Sequence, residues 1–167
     1  MRTMLQGGLR AAVLAASLLL LTSCEKAPDR WAKAQQETQG KKTSVDKTAI
    51  DGSVFNQFFP KQGDGYDIVF KQEKSGFAQA SLQQGGKELA TLSIFDTVSN
   101  PEAATKFDTA TEKFVGFPLV TEEAKSLSAL VGKRFQVQVR SDDPAFGESD
   151  RKAWLEKFDL AGIAELE

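Results

Sequence analysis

The chain has 167 residues, with 21 Lys and Arg against 23 Asp and Glu, and it contains no histidine. The missing histidine excludes Ser-His-Asp and Cys-His catalysis and removes the commonest transition-metal ligand. The mildly acidic balance supplies no basic face for nucleic acid. Composition therefore predicts a protein that is not an enzyme, holds no metal or cofactor and binds no nucleic acid.

The chain opens with the pattern of a secretory signal. Arg2 and Arg10 precede an apolar run of eleven residues, 11–21. A helix of that length measures about 16 Å, which is too short for a hydrocarbon core of about 30 Å. We therefore predict a signal peptide at 1–23 and no permanent transmembrane helix.

The apolar run ends at Leu21-Thr22-Ser23-Cys24. This motif resembles the lipobox of bacterial lipoproteins, in which a Leu stands three residues before the cysteine with small residues between them. The resemblance implies cleavage before Cys24, diacylglycerol on its thiol and acylation of the new amine, which together make a stable anchor. An ordinary signal peptide with an incidental Cys24 is the alternative.

Cys24 is the only cysteine, so we predict no disulfide in the mature protein. Without Arg2 and Arg10, 19 cations face 23 anions, and a net charge of −4 argues against clamping to anionic headgroups. We predict a protein held by its lipid and facing the periplasm, on the inner or outer membrane, or on the thylakoid if the source is photosynthetic. Glu25, next to the cysteine, favours the outer membrane in enteric bacteria.

Residues 25–54 are poor in large apolar side chains. We interpret 24–54 as a flexible lipid-anchored tether and 55–167 as one globular domain. All twelve Phe lie in that domain, and Phe55, Phe58 and Phe59 open it. Two explanations stay open for these three residues: burial under the sheet, or an exposed surface for a partner.

Hydrophobic periodicity predicts three strands, a helix, two or three further strands and a final helical pair. The predicted strands are 66–71, 77–83, 88–95, a short segment near 119–120, 127–131 and 134–140, and the predicted helices are 100–116, 149–158 and a short one capped by Asp159. This order is typical of an α+β fold. We predict a single domain with an antiparallel sheet of five or six strands and helices packed on one face.

Gly85-Gly86 marks the hairpin between the second and third strands. A two-residue loop would set Leu92 opposite Gln79 and turn the apolar faces of the two strands to opposite sides of the sheet. An odd-length loop brings both apolar faces together. We therefore predict a three-residue loop with a glycine bulge and a positive φ at Gly86.

The strand at 134–140 alternates cleanly between an apolar and a polar face. The polar side chains are those of Arg134, Gln136, Gln138 and Arg140. They form either a binding surface for an anionic partner or an ordinary solvated strand face.

The most site-like loop is 141–150, in which Asp142, Asp143, Glu148 and Asp150 offer oxygen ligands for Ca²⁺. Their spacing does not match an EF-hand, and Asp150 also suits the first turn of a helix. We expect turn chemistry and helix capping here rather than a metal site. Isolated carboxylates such as Asp96 and Glu112 would form an acid–base pair only if the fold brought them together.

Three segments carry a second resemblance: 76–80, 90–94 and 154–160, which read GFAQA, ATLSI and WLEKFDL. In them the domain resembles small bacterial lipoproteins of uncharacterised function, including some from photosynthetic bacteria. The architecture is also similar to that of small extrinsic proteins of the photosynthetic membrane. Neither resemblance implies an activity or site residues.

Two functional hypotheses follow. The first is a membrane-tethered, non-enzymatic interaction module that assists or stabilises a membrane-associated complex. The second is a carrier lipoprotein that binds a small ligand in a Phe-lined pocket between the sheet and the helices.

Overall fold

The computed structural model describes residues 46–166, in which seven strands form one antiparallel sheet of order β1-β2-β3-β7-β6-β5-β4. The strands are β1 Tyr66–Lys74, β2 Phe77–Gln84, β3 Lys87–Asp96, β4 Glu112–Phe114, β5 Phe117–Glu122, β6 Ser126–Val131 and β7 Phe135–Ser141. Two short helices, α1 Glu148–Glu156 and α2 Leu160–Ala164, follow the last strand. Segments of 3₁₀ helix lie at Gly52–Phe58, Thr97–Ser99 and Pro101–Phe107.

The single antiparallel sheet is confirmed, but the number of strands is seven rather than five or six, and the described helices are few. The extra strand, β4, lies in the region 100–116 that periodicity predicted as a helix. Val115 and Gly116 adopt positive φ angles of 50° and 86°, and this turn pairs Phe114 with Phe117. The strand delivers Phe114 into the main core, whereas Phe107 is buried outside that cluster.

The main core lies between one face of the sheet and the helices. Leu92 stands opposite Ala80 on one side and Val139 on the other, and all three side chains are fully buried. From α1, Leu155 is also fully buried against this face. Burial of a side chain the size of Leu contributes about 1.5–3 kcal/mol, so this layer accounts for a large part of the folding free energy.

The hairpin between β2 and β3 has the predicted match of apolar faces, but its turn is shorter than predicted. Gln84 pairs with Lys87 across a two-residue Gly85-Gly86 turn, in which φ is 58° and 80°. A bulge then shifts the pairing between Leu82 and Gln83, so the apolar faces match as predicted. The predicted loop length was wrong because the extra residue lies inside the ladder rather than in the turn.

The Phe55–Phe59 segment packs under the sheet. Phe55, Phe58 and Phe59 are 0%, 8% and 5% exposed, and the Phe55 ring lies 5.9 Å from that of Phe135 in an edge contact. Of the two explanations that the sequence left open, the structure therefore shows burial of these side chains under the sheet and not an exposed partner surface. Their burial is the outcome expected for three aromatic side chains within five residues.

Residues 46–54, which the sequence placed at the end of the tether, form hydrogen bonds with the sheet and its first turn. The Ile50 amide donates to Asp96 Oδ2 at 3.1 Å, and the Gly76 amide donates to the Ile50 carbonyl at 2.6 Å. The predicted signal peptide, Cys24 and residues 24–45 of the predicted tether lie outside the described residues. No helix between residues 46 and 166 is both long and apolar enough to cross a bilayer.

Candidate functional site

The sheet face opposite the main core is polar, and we call it the open face. Strand register places Gln79, Ser93, Gln138 and Ser128 side by side across β2, β3, β7 and β6. The neighbouring row on the same face consists of Ser81, Thr91, Arg140 and Ser126. The face therefore presents small hydroxyls and amides at positions that alternate with the apolar core residues.

Hydrogen bonds fix the amides of this face. Gln138 Nε2 and Gln136 Nε2 donate to Ser128 Oγ at 3.1 Å and 3.5 Å. The Ser128 hydroxyl in turn lies 3.5 Å from Glu122 Oε2, which also accepts a bond from Lys106 Nζ at 2.6 Å. Ser128 is fully buried and its carboxylate neighbour is already paired, so this network positions the two glutamines and does not make a nucleophile.

Part of the open face is covered by the connection between β3 and β4. Leu130 pairs with Gln136 on this face, and Leu130 and Phe107 are both buried outside the main core. The helices α1 and α2 contribute their apolar residues to the main core on the other face. The half-buried Gln79, Gln136 and Gln138 therefore mark the part of the face that stays open to solvent.

Arg134 does not belong to this face, although the sequence pattern placed it there. It precedes β7, in the three-residue connection between Val131 and Phe135. Its side chain turns to Asp96, with Nε–Oδ1 at 2.9 Å and Nη2–Oδ2 at 2.7 Å, and Nη2 also donates to the Thr48 carbonyl at 2.9 Å. Arg134 therefore serves as a structural link between the N-terminal segment and the sheet.

Asp96 is the buried partner in this link. Its side chain is fully buried and accepts bonds from Arg134 and from the Ile50 and Val98 amides. Burial raises the pKa of Asp96, but the hydrogen bonds from Arg134 and the two amides outweigh burial and lower its pKa below the ordinary value. The same pair raises the pKa of Arg134. Asp96 is thus an ionised structural group and is not poised as an acid.

Arg140 is the charged side chain of the predicted strand surface that remains exposed. Its Nη2 lies 3.0 Å from Asp142 Oδ1 and 3.3 Å from Thr91 Oγ1, and the Thr91 hydroxyl donates to Asp142 Oδ2 at 2.6 Å. These contacts hold the guanidinium at the edge of the open face. Gln136, Gln138 and Arg140 are therefore brought together, whereas Arg134 is separated from them.

The acidic loop behaves as a turn. Asp143 forms an ion pair with Lys87, which lowers the pKa of the Asp143 carboxyl, and Asp150 Oδ2 accepts from the Gly147 amide at 2.8 Å at the start of α1. Within residues 46–166, no three Asp, Glu, His or Cys side chains converge on a common point. Glu112 is exposed on the edge strand β4, while Asp96 is buried at the end of β3.

The aromatic side chains beneath the sheet contact one another. The Phe59 ring lies 5.2 Å from that of Phe158 and 5.1 Å from that of Phe70, and Tyr66 lies 5.1 Å from Trp154. Such edge and tilted contacts are typical of a packed aromatic core. Phe158 and Trp154 are 4% and 7% exposed, so their rings are packed rather than open to a ligand.

Sequence reasoning missed the buried hydroxyls of the open face, Ser81, Ser93 and Ser128. A signal for them exists, because each alternates with core residues in its strand. Their small side chains leave room for the long glutamines beside them.

Comparison with protein-family models, curated proteins and solved structures finds no match to this chain.

Proposed function

We propose that this protein is a lipid-anchored, non-enzymatic interaction module on the extracytoplasmic side of a membrane, where it assists or stabilises a membrane-associated complex. The observation that carries this proposal is the open face, a polar surface around Gln136, Gln138 and Arg140. Its amides are oriented by Ser128 and its guanidinium by Asp142. Groups held in place before binding lose less conformational entropy when a partner arrives.

The size of the surface supports a weak contact. Four strands of six to ten residues, β2, β3, β7 and β6, cover an area of roughly 20 Å by 25 Å, or about 500 Å². A stable interface buries about 800 Å² on each partner, so this face is suited to a transient complex. An anchor that confines both partners to one membrane would raise their effective concentration and compensate for a weak contact.

The test is crosslinking in intact cells with a C-terminal tag, followed by solubilisation of the membranes and identification of what co-purifies. We expect one stoichiometric membrane-protein partner, and we expect it to be lost when Cys24→Ser removes the lipid. Arg140→Glu should also reduce its recovery. Arg134 is left unchanged because its replacement would disturb Asp96.

The matched control is Lys152→Glu, an exposed residue on α1, which packs on the opposite face of the sheet. This variant also changes a cation to an anion, so it separates a surface effect from a general charge effect. Equal recovery of the partner with both charge variants would exclude the open face as the contact. If no partner is recovered with the wild-type chain, the interaction-module proposal itself fails.

A further inference from the structure

A surface pocket of about 530 Å³ opens at the start of α1. Its walls are the turn 123–125 between β5 and β6, the loop 141–147 between β7 and α1, and the first turns of α1. Pockets that bind small ligands measure about 300–1,000 Å³, so this volume accommodates a small organic molecule. Loop 141–150, which the sequence singled out for its carboxylates, forms part of this pocket, but sequence reasoning did not point to Arg151.

Arg151 of α1 lines this pocket and is only 4% exposed. Its Nη1 donates to Ser141 Oγ at 2.8 Å and lies 3.5 Å from the Phe146 carbonyl. The buried Nε has no hydrogen-bond partner, and Nη2 makes no hydrogen bond within residues 46–166. None of the ion pairs in the described part of the chain includes Arg151.

A guanidinium stays charged at any physiological pH and carries five N–H donors. A buried cation without a counter-ion is strongly unfavourable, and an anion supplied from outside would remove that penalty. The N-terminus of α1 adds little to the site, because the Asp150 carboxylate already accepts a hydrogen bond from the Gly147 amide. The attraction for an anion therefore comes from Arg151.

The other charges of the pocket define the class of anion. Asp142 and Asp143 are neutralised by Arg140 and Lys87. Glu123, Glu148 and Lys125 remain on the exposed rim, and this surplus of negative charge disfavours a dianion such as phosphate. The remaining wall includes apolar surface, from Ala124, Pro144 and Phe146.

We propose that this pocket binds a carboxylate monoanion with a small apolar body, and that the carboxylate pairs with Nη2 of Arg151. The proposal stands independently of the interaction-module function. The carboxylate belongs either to a free organic acid or to the C-terminus of a polypeptide, since both offer the same charged group. The ordinary affinity range for so small a ligand is millimolar.

The test is calorimetric titration of the full chain in detergent micelles with sodium butyrate, with empty micelles as the blank. N-acetylalanine represents a polypeptide terminus, and sodium phosphate and sodium chloride represent other anions. We expect saturable binding of butyrate or N-acetylalanine and no saturable binding of chloride. The tighter of the two carboxylates identifies the source. Tighter binding of phosphate than of either carboxylate would overturn the proposed ligand class.

Two pairs of variants localise the binding. Arg151→Gln should abolish it, and Lys152→Gln, an exposed neighbour, should leave it unchanged. Because the buried Arg151 also contributes to folding, Thr121→Glu and Thr121→Gln provide a second pair on the exposed lining. The added anion in Thr121→Glu should weaken binding at least about fivefold relative to Thr121→Gln. Absence of carboxylate binding at tens of millimolar, or equal binding by the Thr121 pair, would refute the site.

Discussion

Replacement of Asp96 by Asn tests the most buried charge in the described domain. Asp96 accepts two bonds from Arg134 and one each from the Ile50 and Val98 amides. Asparagine fills the same space but carries no charge and has one acceptor oxygen instead of two. The variant therefore leaves Arg134 without its counter-ion and places an NH₂ group beside donors.

The magnitude follows from the exposure of the two partners. Removal of one partner from a fully buried ion pair costs about 3–5 kcal/mol. Because the side chain of Arg134 is 25% exposed, water replaces part of what it loses. We expect Asp96→Asn to lower the free energy of unfolding by about 2–3 kcal/mol and the melting temperature by about 10 °C. Urea unfolding of the full chain, followed by tryptophan fluorescence to which the buried Trp154 contributes, measures the effect.

The dependence on pH supplies a second check. Hydrogen bonds lower the pKa of Asp96 in the folded state, so its contribution to stability is complete above the unfolded pKa of about 3.9. That contribution is lost as the pH falls through the folded pKa. The stability gap between wild type and Asp96→Asn should therefore be full at neutral pH and narrow below about pH 4. Asp142→Asn, which breaks the more exposed pair with Arg140, should cost less than about 1 kcal/mol. Equal losses from Asp96→Asn and Asp142→Asn would refute this reasoning.

Three further substitutions, one of them a control, test packing. A Cβ at Gly52 would overlap the backbone oxygens of Lys74 and Phe77, so Gly52→Ala should lower the free energy of unfolding by at least about 2 kcal/mol. Gly63 has open space around it, so the control Gly63→Ala should have little effect. Similar urea midpoints for the two variants would contradict this prediction. Leu155→Ala should lower the free energy of unfolding by about 2–5 kcal/mol, because it empties a fully buried position between α1 and the sheet. A smaller loss in the same urea assay would mean that neighbouring side chains move in to fill the cavity.

Sequence patterns predicted the parts of the fold that are governed by local alternation. The strands of the first hairpins and the cap at Asp159, which accepts from the Gly162 amide at 2.9 Å, follow from period and capping chemistry. Matching of apolar faces also predicted that Ala80 and Leu92 lie on the same face of the sheet, and the two residues pair there. These features depend on residues close together in sequence.

The features that sequence did not reveal depend on contacts between distant residues. β4 was missed because Phe107 and Phe114 have helical spacing, although they are buried in different places. Arg134 was assigned to a solvated face because alternation says nothing about a partner at Asp96, 38 residues away. For Arg151, burial without a counter-ion becomes visible only when the loop 141–147 is folded over it.

The strand order also has a consequence for the kinetics of folding. β1, β2 and β3 form one set of consecutive hairpins, and β4 to β7 form another, so nearly all strand pairing joins sequence neighbours. The seam between β3 and β7 is the exception, and it joins residues such as Leu92 and Val139. Closure of so long a loop is slow relative to hairpin formation. Docking of the two hairpin sets along this seam should therefore limit the folding rate, and substitutions there should slow folding more than those in the outer strands.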